Sequence, residues 1–222
     1  AELTTRIKTS QRDSLQKTGR VKDSKWVRQW VMEYLNQPNL VSSERVRCYR
    51  IIADIALGWN DAKAEFDALN HAIGIDPIMV DVLVRLQAVS RLGKVDNRSD
   101  FEQAWNRRVA NAEGVLRDRL RRGRILMNST VSAEKTLGRN RAANAANSLA
   151  RLLSHVGEST DESLEMAREA VQLNDRSARF LETLSDCEHR AGNSEKALEI
   201  IKKAVYLSPF DDGLKRKLVD YD

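Results

Sequence analysis

Residues 177–209 read SARFLETLSDCEHRAGNSEKALEIIKKAVYLSP, and this stretch decides the fold. Leu181, Leu184 and Ser185 in its first half, and Ala197, Ile201 and Ala204 in its second, recur at intervals of three and four, which is helical periodicity. Gly192 divides the halves and Pro209 follows the second, so the pattern predicts helices near 177–190 and 194–207 joined by a short turn. Moving Ala197, Ile201, Ala204 and Pro209 back by 34 positions gives Ser163, Ala167, Ala170 and Asp175, of which the first three are small. Leu184-Ser185 and Gly192 have counterparts in Leu149-Ala150 and Gly157, displaced by one residue in the loop. A third, poorer match is the gap of five from Ala72 to Pro77, closing the segment 43–77. Self-similarity at a fixed period marks stacked units, each of which needs its neighbours to bury its apolar face.

The residues 143–209 resemble the tetratricopeptide repeat (TPR) family, whose 34-residue helix–turn–helix unit carries a Leu and a small residue in its first helix and Ala and Pro marks in its second. Two departures stand out: Leu181 where Trp is common, and Glu188 where an aromatic residue is expected. Small residues at Ala150, Ala170, Ser185, Ala197 and Ala204 would let helices approach closely, with Leu149, Leu184 and Ile201 between them. The resemblance implies an all-α, right-handed solenoid of antiparallel helix pairs. It also implies an inner groove lined by the first helix of each pair. The outward side chains would be Asn144, Asn147, Arg151 and His155 in one repeat, and Arg179, Glu182, Asp186 and Arg190 in the next. Asn bonds both peptide groups and Arg donates in a fork, so these types suit a peptide partner. Family members that clamp a terminal carboxylate use Lys and Asn there; Glu182 and Asp186 would repel one, which favours a mixed-charge groove.

Working outward, residues 1–23 form a polar, basic arm expected to be disordered or extended, because it lacks the apolar surface to offset ordering entropy. Residues 24–142 are expected to hold degenerate helical repeats, and 143–222 TPR-like repeats with a C-terminal capping helix. Trp26, Val27, Trp30, Val31, Tyr34 and Leu35 share one helix face. Trp26, Trp30 and Tyr34 form an aromatic stripe on it, read either as packing against the next helix or as a docking face. Gly58 ends the second helix, Asn60 or Asp61 caps the third, and a fourth runs from about 78 to 92. A polar turn at 94–98 precedes a long helix through Phe101, Trp105, Leu116 and Leu126. Gly114 and Gly123 weaken that helix by about 1 kcal/mol each, which leaves open one continuous helix or two. Another long helix covers about 131–156, and a short one follows Asp211.

The chain has 222 residues with 10 Gly and 3 Pro, too few turn residues for a sandwich or barrel of this size. No apolar run reaches membrane-spanning length. With no signal peptide in view, the cytoplasm is the expected compartment. The acceptor patterns at Asn97 and Asn128 are then read as chance matches. Cys48 and Cys187 cannot build a disulfide framework or a four-ligand zinc site. His71, His155 and His189 fall in no metal-binding pattern, and Cys187 and His189 point to different sides of a helix. No phosphate loop, dinucleotide fingerprint or nucleophile elbow is present. The expectation is a non-enzyme with no cofactor, metal or small-molecule substrate.

The net charge of +5 is unevenly spread. Residues 1–28 carry net +5, residues 101–124 net +4, and residues 155–188 net −6. Arg117, Arg121 and Arg124 share a helix face, with Arg107 and Arg108 a few turns earlier. Such a basic patch suits phosphates, an acidic partner, or the chain's own acidic segment. The leading expectation is a scaffold or adaptor that binds a protein partner, within a larger assembly, through its groove. The alternatives are an RNA-contacting helical-repeat protein in a ribonucleoprotein and a structural subunit of a large complex.

Overall fold

The computed structural model describes residues 24–91, 98–156 and 160–221. The basic arm at 1–23, most of the 94–98 turn and Gly157 lie outside them. Ten helices occupy the described residues, with no strand among them: α1 Ser24–Leu35, α2 Ser42–Gly58, α3 Ala62–Ile75, α4 Val80–Arg91, α5 Arg98–Met127, α6 Ser132–Val156, α7 Thr160–Leu173, α8 Ala178–Arg190, α9 Ser194–Leu207 and α10 Asp212–Tyr221. The chain divides into two compact units at Arg107/Arg108, inside α5. The change in repeat quality at 142/143 is a different boundary and falls inside α6.

In the first unit α2 and α3 form a helical hairpin, flanked by α1 on α2 and by α4 on α3. Val27, Val31 and Leu35 bury the inner stripe of α1, whereas Trp26 stays half exposed. Of the two readings of the aromatic stripe, packing does not hold at Trp26: the β-branched and Leu positions one step along form the buried line. Asn60, not Gly58, takes the left-handed conformation that turns the chain (φ 57°). Asn tolerates this region better than most non-glycine residues. Asp61 then caps α3, its carboxylate accepting from the Ala64 amide at 3.0 Å. Phe66 and Phe101 meet at 5.6 Å between centroids, and Phe101 stacks on the buried Trp105. Arg85 of α4 locks the hairpin: it donates to the buried Glu65 of α3 at 2.5 Å and to the Ala53 carbonyl of α2 at 2.9 Å.

In the second unit the strongest pairings are α6 with α7 and α8 with α9, the helix–turn–helix hairpins read from the sequence. α8 also touches α7 and α6 of the preceding hairpin, and α10 packs on α9. Ala150, Ala167, Ala170, Ser185, Ala197 and Ala204 have no exposed surface. The approach is close enough that the Ser185 hydroxyl donates to the Ala197 carbonyl at 2.7 Å. Leu181, in place of the aromatic, packs with Ile201, Ala204 and Leu214.

Of the two outcomes left open by the sequence, α5 runs unbroken through Gly114 and Gly123. A Cβ on Gly123 would lie 2.6 Å from the Ala142 nitrogen, and one on Gly138 would lie 2.6 Å from the Met127 nitrogen. The long helices α5 and α6 therefore cross backbone to backbone. The glycines make room at that crossing, and the contact they permit offsets their poor helix propensity.

Candidate partner-binding surface

The first helices of the C-terminal repeats, α6 and α8, each leave a narrow arc open. On α6 the arc holds Asn144, Arg151 and His155, with Arg141 one turn before Asn144. Asn147 is not part of it. At 2% exposure it sits on the edge of the buried arc beside Ser154, and its carboxamide oxygen has no hydrogen-bond partner in the described structure. The reading of Asn147 as an outward groove residue is corrected, because its three- and four-residue offsets from Asn144 and Arg151 carry it to the arc's inner side. On α8, Arg179, Glu182, Asp186 and Arg190 share one arc, and each retains accessible surface.

Polar rungs join these helices. Arg179 donates to the Asn144 carboxamide oxygen at 2.6 Å. Arg190 donates to the Ser154 carbonyl at 2.5 Å. His155 Nδ1 lies 2.9 Å from the Arg151 carbonyl, which can only accept, so Nδ1 carries the proton. Burial pushes the His155 pKa down; the Arg151 carbonyl opposes this, while Arg190 and Arg151 nearby add to it. His155 is therefore neutral near pH 7, its second ring nitrogen an acceptor.

Glu182 and Asp186 are engaged by α10. Lys217 bonds both Asp186 oxygens, at 2.9 and 2.6 Å, and Glu182 at 2.8 Å. Tyr221 donates to Asp186 at 2.7 Å and stacks on His189 with centroids 4.4 Å apart. Burial would lower the Lys217 pKa, but the hydrogen bonds to Asp186 and Glu182 hold it above the usual value. Lys217 and Tyr221 were missed in the sequence, and the available signal was their 35-residue offset from Glu182 and Asp186. Arg141 was missed although the three-residue step to Asn144 announces it.

The α5 arginines have a different setting. Arg117 pairs with Glu113 and Glu162 at 2.7 Å each. Arg124 is bidentate on Glu169, with contacts of 2.8 and 2.5 Å. Arg121 and Arg122 share Asp118. Of the patch expected from the sequence, Arg117 and Arg124 thus meet the chain's own acidic segment. Arg107 is exposed, and burial pulls the Arg108 pKa down. Arg107 and Arg108 fall on opposite sides of the unit boundary.

Glu188, the other departure from the repeat pattern, is 3% exposed and accepts from Arg168 at 2.8 Å and Asn193 at 2.7 Å. Burial raises its carboxyl pKa, yet these two bonds outweigh it and leave the group below the usual range. It ties α8 to α7 and to the turn before α9 where an aromatic ring would otherwise pack. Burial pushes the Cys187 thiol up to about 11, so it is protonated at neutral pH. No group of His, Cys and carboxylates among the described residues could hold a metal ion. No described helix is long and apolar enough to cross a membrane.

These features define a TPR-like helical-repeat fold, all-α, with antiparallel helix pairs stacked as in the TPR solenoids. Among solved structures the chain is similar to TTC0263, a thermophilic TPR protein in Thermus thermophilus, with a TM-score of 0.51 and 13% identity, covering 87% of this chain and 88% of that one. It also matches MamA at a TM-score of 0.34 and 16% identity, covering 81% and 88% of the two chains. The TPR2AB domain of yeast Sti1, in complex with a pHSP90 partner, matches at a TM-score of 0.32 and 11% identity, covering 94% and 80%. No family model and no curated protein matches the sequence.

Proposed function

We propose that this protein is a non-catalytic interaction scaffold that holds a segment of another protein along the face formed by α6 and α8. The observation that carries the reading is the alignment of Asn144, Arg151 and His155 on α6 beside Arg179 and Arg190 on α8, each with polar groups at the surface. Stacked helix pairs present their first helices side by side, which suits an elongated ligand. Fold alone does not specify a partner, so the proposal rests on the surface.

The basic-patch reading, with RNA as ligand, has less support. Arg117 and Arg124 already face carboxylates, and a phosphate would have to displace Glu162 and Glu169. The reading as a structural subunit of a large complex has no specific observation in its favour.

The test is photo-crosslinking in source lysate from a photoreactive residue placed at Ser148, between Asn144 and Arg151, followed by mass spectrometry. Arg151→Glu with Arg179→Glu serves as the comparison. The expected result is a defined protein crosslink that survives nuclease and disappears in the double variant. Crosslinks to RNA, or protein crosslinks indifferent to the double variant, would overturn the proposal.

A further inference from the structure

Resting on the scaffold reading above, we infer that the partner segment is acidic and extended, and that Arg151, Arg179 and Arg190 bind its side-chain carboxylates. Several arginines of the second unit are matched to carboxylates of a neighbouring helix: Arg117 to Glu162, Arg124 to Glu169, Arg168 to Glu188. The three arginines of the α6–α8 face are not. Arg179 bonds a neutral carboxamide and Arg190 a neutral carbonyl. The Arg151 guanidinium forms no ion pair among the described residues, and the exposed Arg141 on the same arc forms none either.

The two acids on this face do not compensate them. Lys217 spans Glu182 and Asp186, and Tyr221 donates a further hydrogen bond to Asp186. The mixed-charge groove expected from the sequence is thereby divided. Docking of α10 offsets one of the two negative charges and occupies both acids, and the arginines leave an excess of positive charge along α6 and the ends of α8. Neutral partners also aim two of the guanidiniums without consuming their charge. Each keeps donors for a carboxylate, the planar fork geometry in which Arg binds best.

Spacing sets the shape of the ligand. Arg179 and Arg190 lie eleven residues apart on one helix. At 1.5 Å per residue that is about 16 Å. An extended chain covers this in about five residues, with every second side chain on one side. Carboxylates at alternate positions of a five- or six-residue stretch therefore match the three arginines, and no free C-terminus is required.

The experiment uses the full chain and a fluorescent peptide, Glu-Ser-Glu-Ser-Glu-Ser, blocked at both ends so that neither terminus contributes charge. A Lys-Ser repeat and a Gln-Ser repeat of equal length are the comparisons, with a single-stranded RNA oligonucleotide as a fourth probe. Binding is read by anisotropy at low and moderate salt. The expected result is selective binding of the acidic peptide, weakened about fivefold to tenfold by Arg151→Gln and by Arg179→Gln, and unchanged by Arg121→Gln with Arg122→Gln on α5. Arg151→Gln removes no bond present in the structure, so its effect separates recognition from folding, and melting curves check this for Arg179→Gln.

Preference for the Lys-Ser or Gln-Ser peptide, with the same dependence on Arg151, would overturn the acidic assignment and leave the scaffold reading standing. Equal loss with the α5 variant would reduce the binding to diffuse charge and overturn the assignment. RNA competing at Arg151 and Arg179 would overturn both readings.

Discussion

Asn144 and Arg179 stand 35 positions apart and are joined by a 2.6 Å hydrogen bond between α6 and α8. The same offset recurs one repeat later, where Tyr221 bonds Asp186, and again at Glu182 with Lys217. Each first helix is thus pinned to the next through its open arc as well as through its core. Arg179→Ala and Asn144→Ala should each cost about 0.5–1 kcal/mol, and the double variant should cost less than their sum. Chemical denaturation of the four proteins in the cycle measures this, and strictly additive losses would show that the rung is energetically idle.

Glycines that look equivalent in α5 should respond with opposite signs. Gly114→Ala enters open space and should stabilise by about 0.5–1 kcal/mol through helix propensity. Gly123→Ala drives a methyl into the Ala142 backbone and should destabilise by about 1–3 kcal/mol. Thermal melts of the two variants would decide it, and stabilisation by both would refute the close crossing.

Glu188 makes stability depend on acid. Its folded-state pKa is depressed, so its contribution is present above the unfolded value, near 4.3, and is lost as pH falls from about 5 toward the folded value. Glu188→Gln should flatten that part of the stability–pH profile, and Glu188→Ala should cost about 2 kcal/mol at pH 7. Urea unfolding across pH 3.5–7 is the measurement. An unchanged slope in Glu188→Gln would assign the acid sensitivity elsewhere.

The hold of α10 on α8 runs through Lys217 and Tyr221. Lys217→Met should leave Glu182 and Asp186 without their cation and speed amide exchange in α10, while α6 and α7 keep their protection. Uniform acceleration throughout the unit would instead mean that α10 supports the whole repeat stack.

His155 offers a proton readout of the surface. It faces Arg151, Arg190 and Asp186, and burial with the two arginines keeps it neutral. A bound carboxylate favours the imidazolium, so the His155 pKa should rise in the complex with the acidic peptide. Affinity should then increase as pH falls from about 7 to 5.5. NMR titration of the His155 ring with and without the peptide checks this. A lower pKa in the complex would place the ligand's negative charge away from α6.

Much of the repeat was legible in residues such as Ala170, Ala197 and Ala204, because close helix packing accepts only small side chains at fixed steps. The helix limits near 177–190 and 194–207 followed from the same periodicity. Asn147 was misplaced because periodicity locates an arc only to within one residue position, and an arc edge is set by the neighbouring helix. The α5 arginines were legible as a face, with the chain's own acidic segment among its possible partners, but the particular pairs with Glu162 and Glu169 were not, since sequence separation conceals which faces meet.

Local sequence determined what depends on spacing along one helix: the helical hairpins, the small-residue contacts, the cap at Asp61 and the separation of basic from acidic segments. Tertiary structure decided what depends on which helices become neighbours. It turned Gly123 from a helix breaker into a crossing point and made Glu188 a satisfied buried acid. It also placed Lys217 over Glu182 and Asp186, leaving Arg151, Arg179 and Arg190 without a carboxylate. The physical reason is that charge pairing and steric fit are properties of surfaces brought within a few ångströms, and chain order alone does not give that distance.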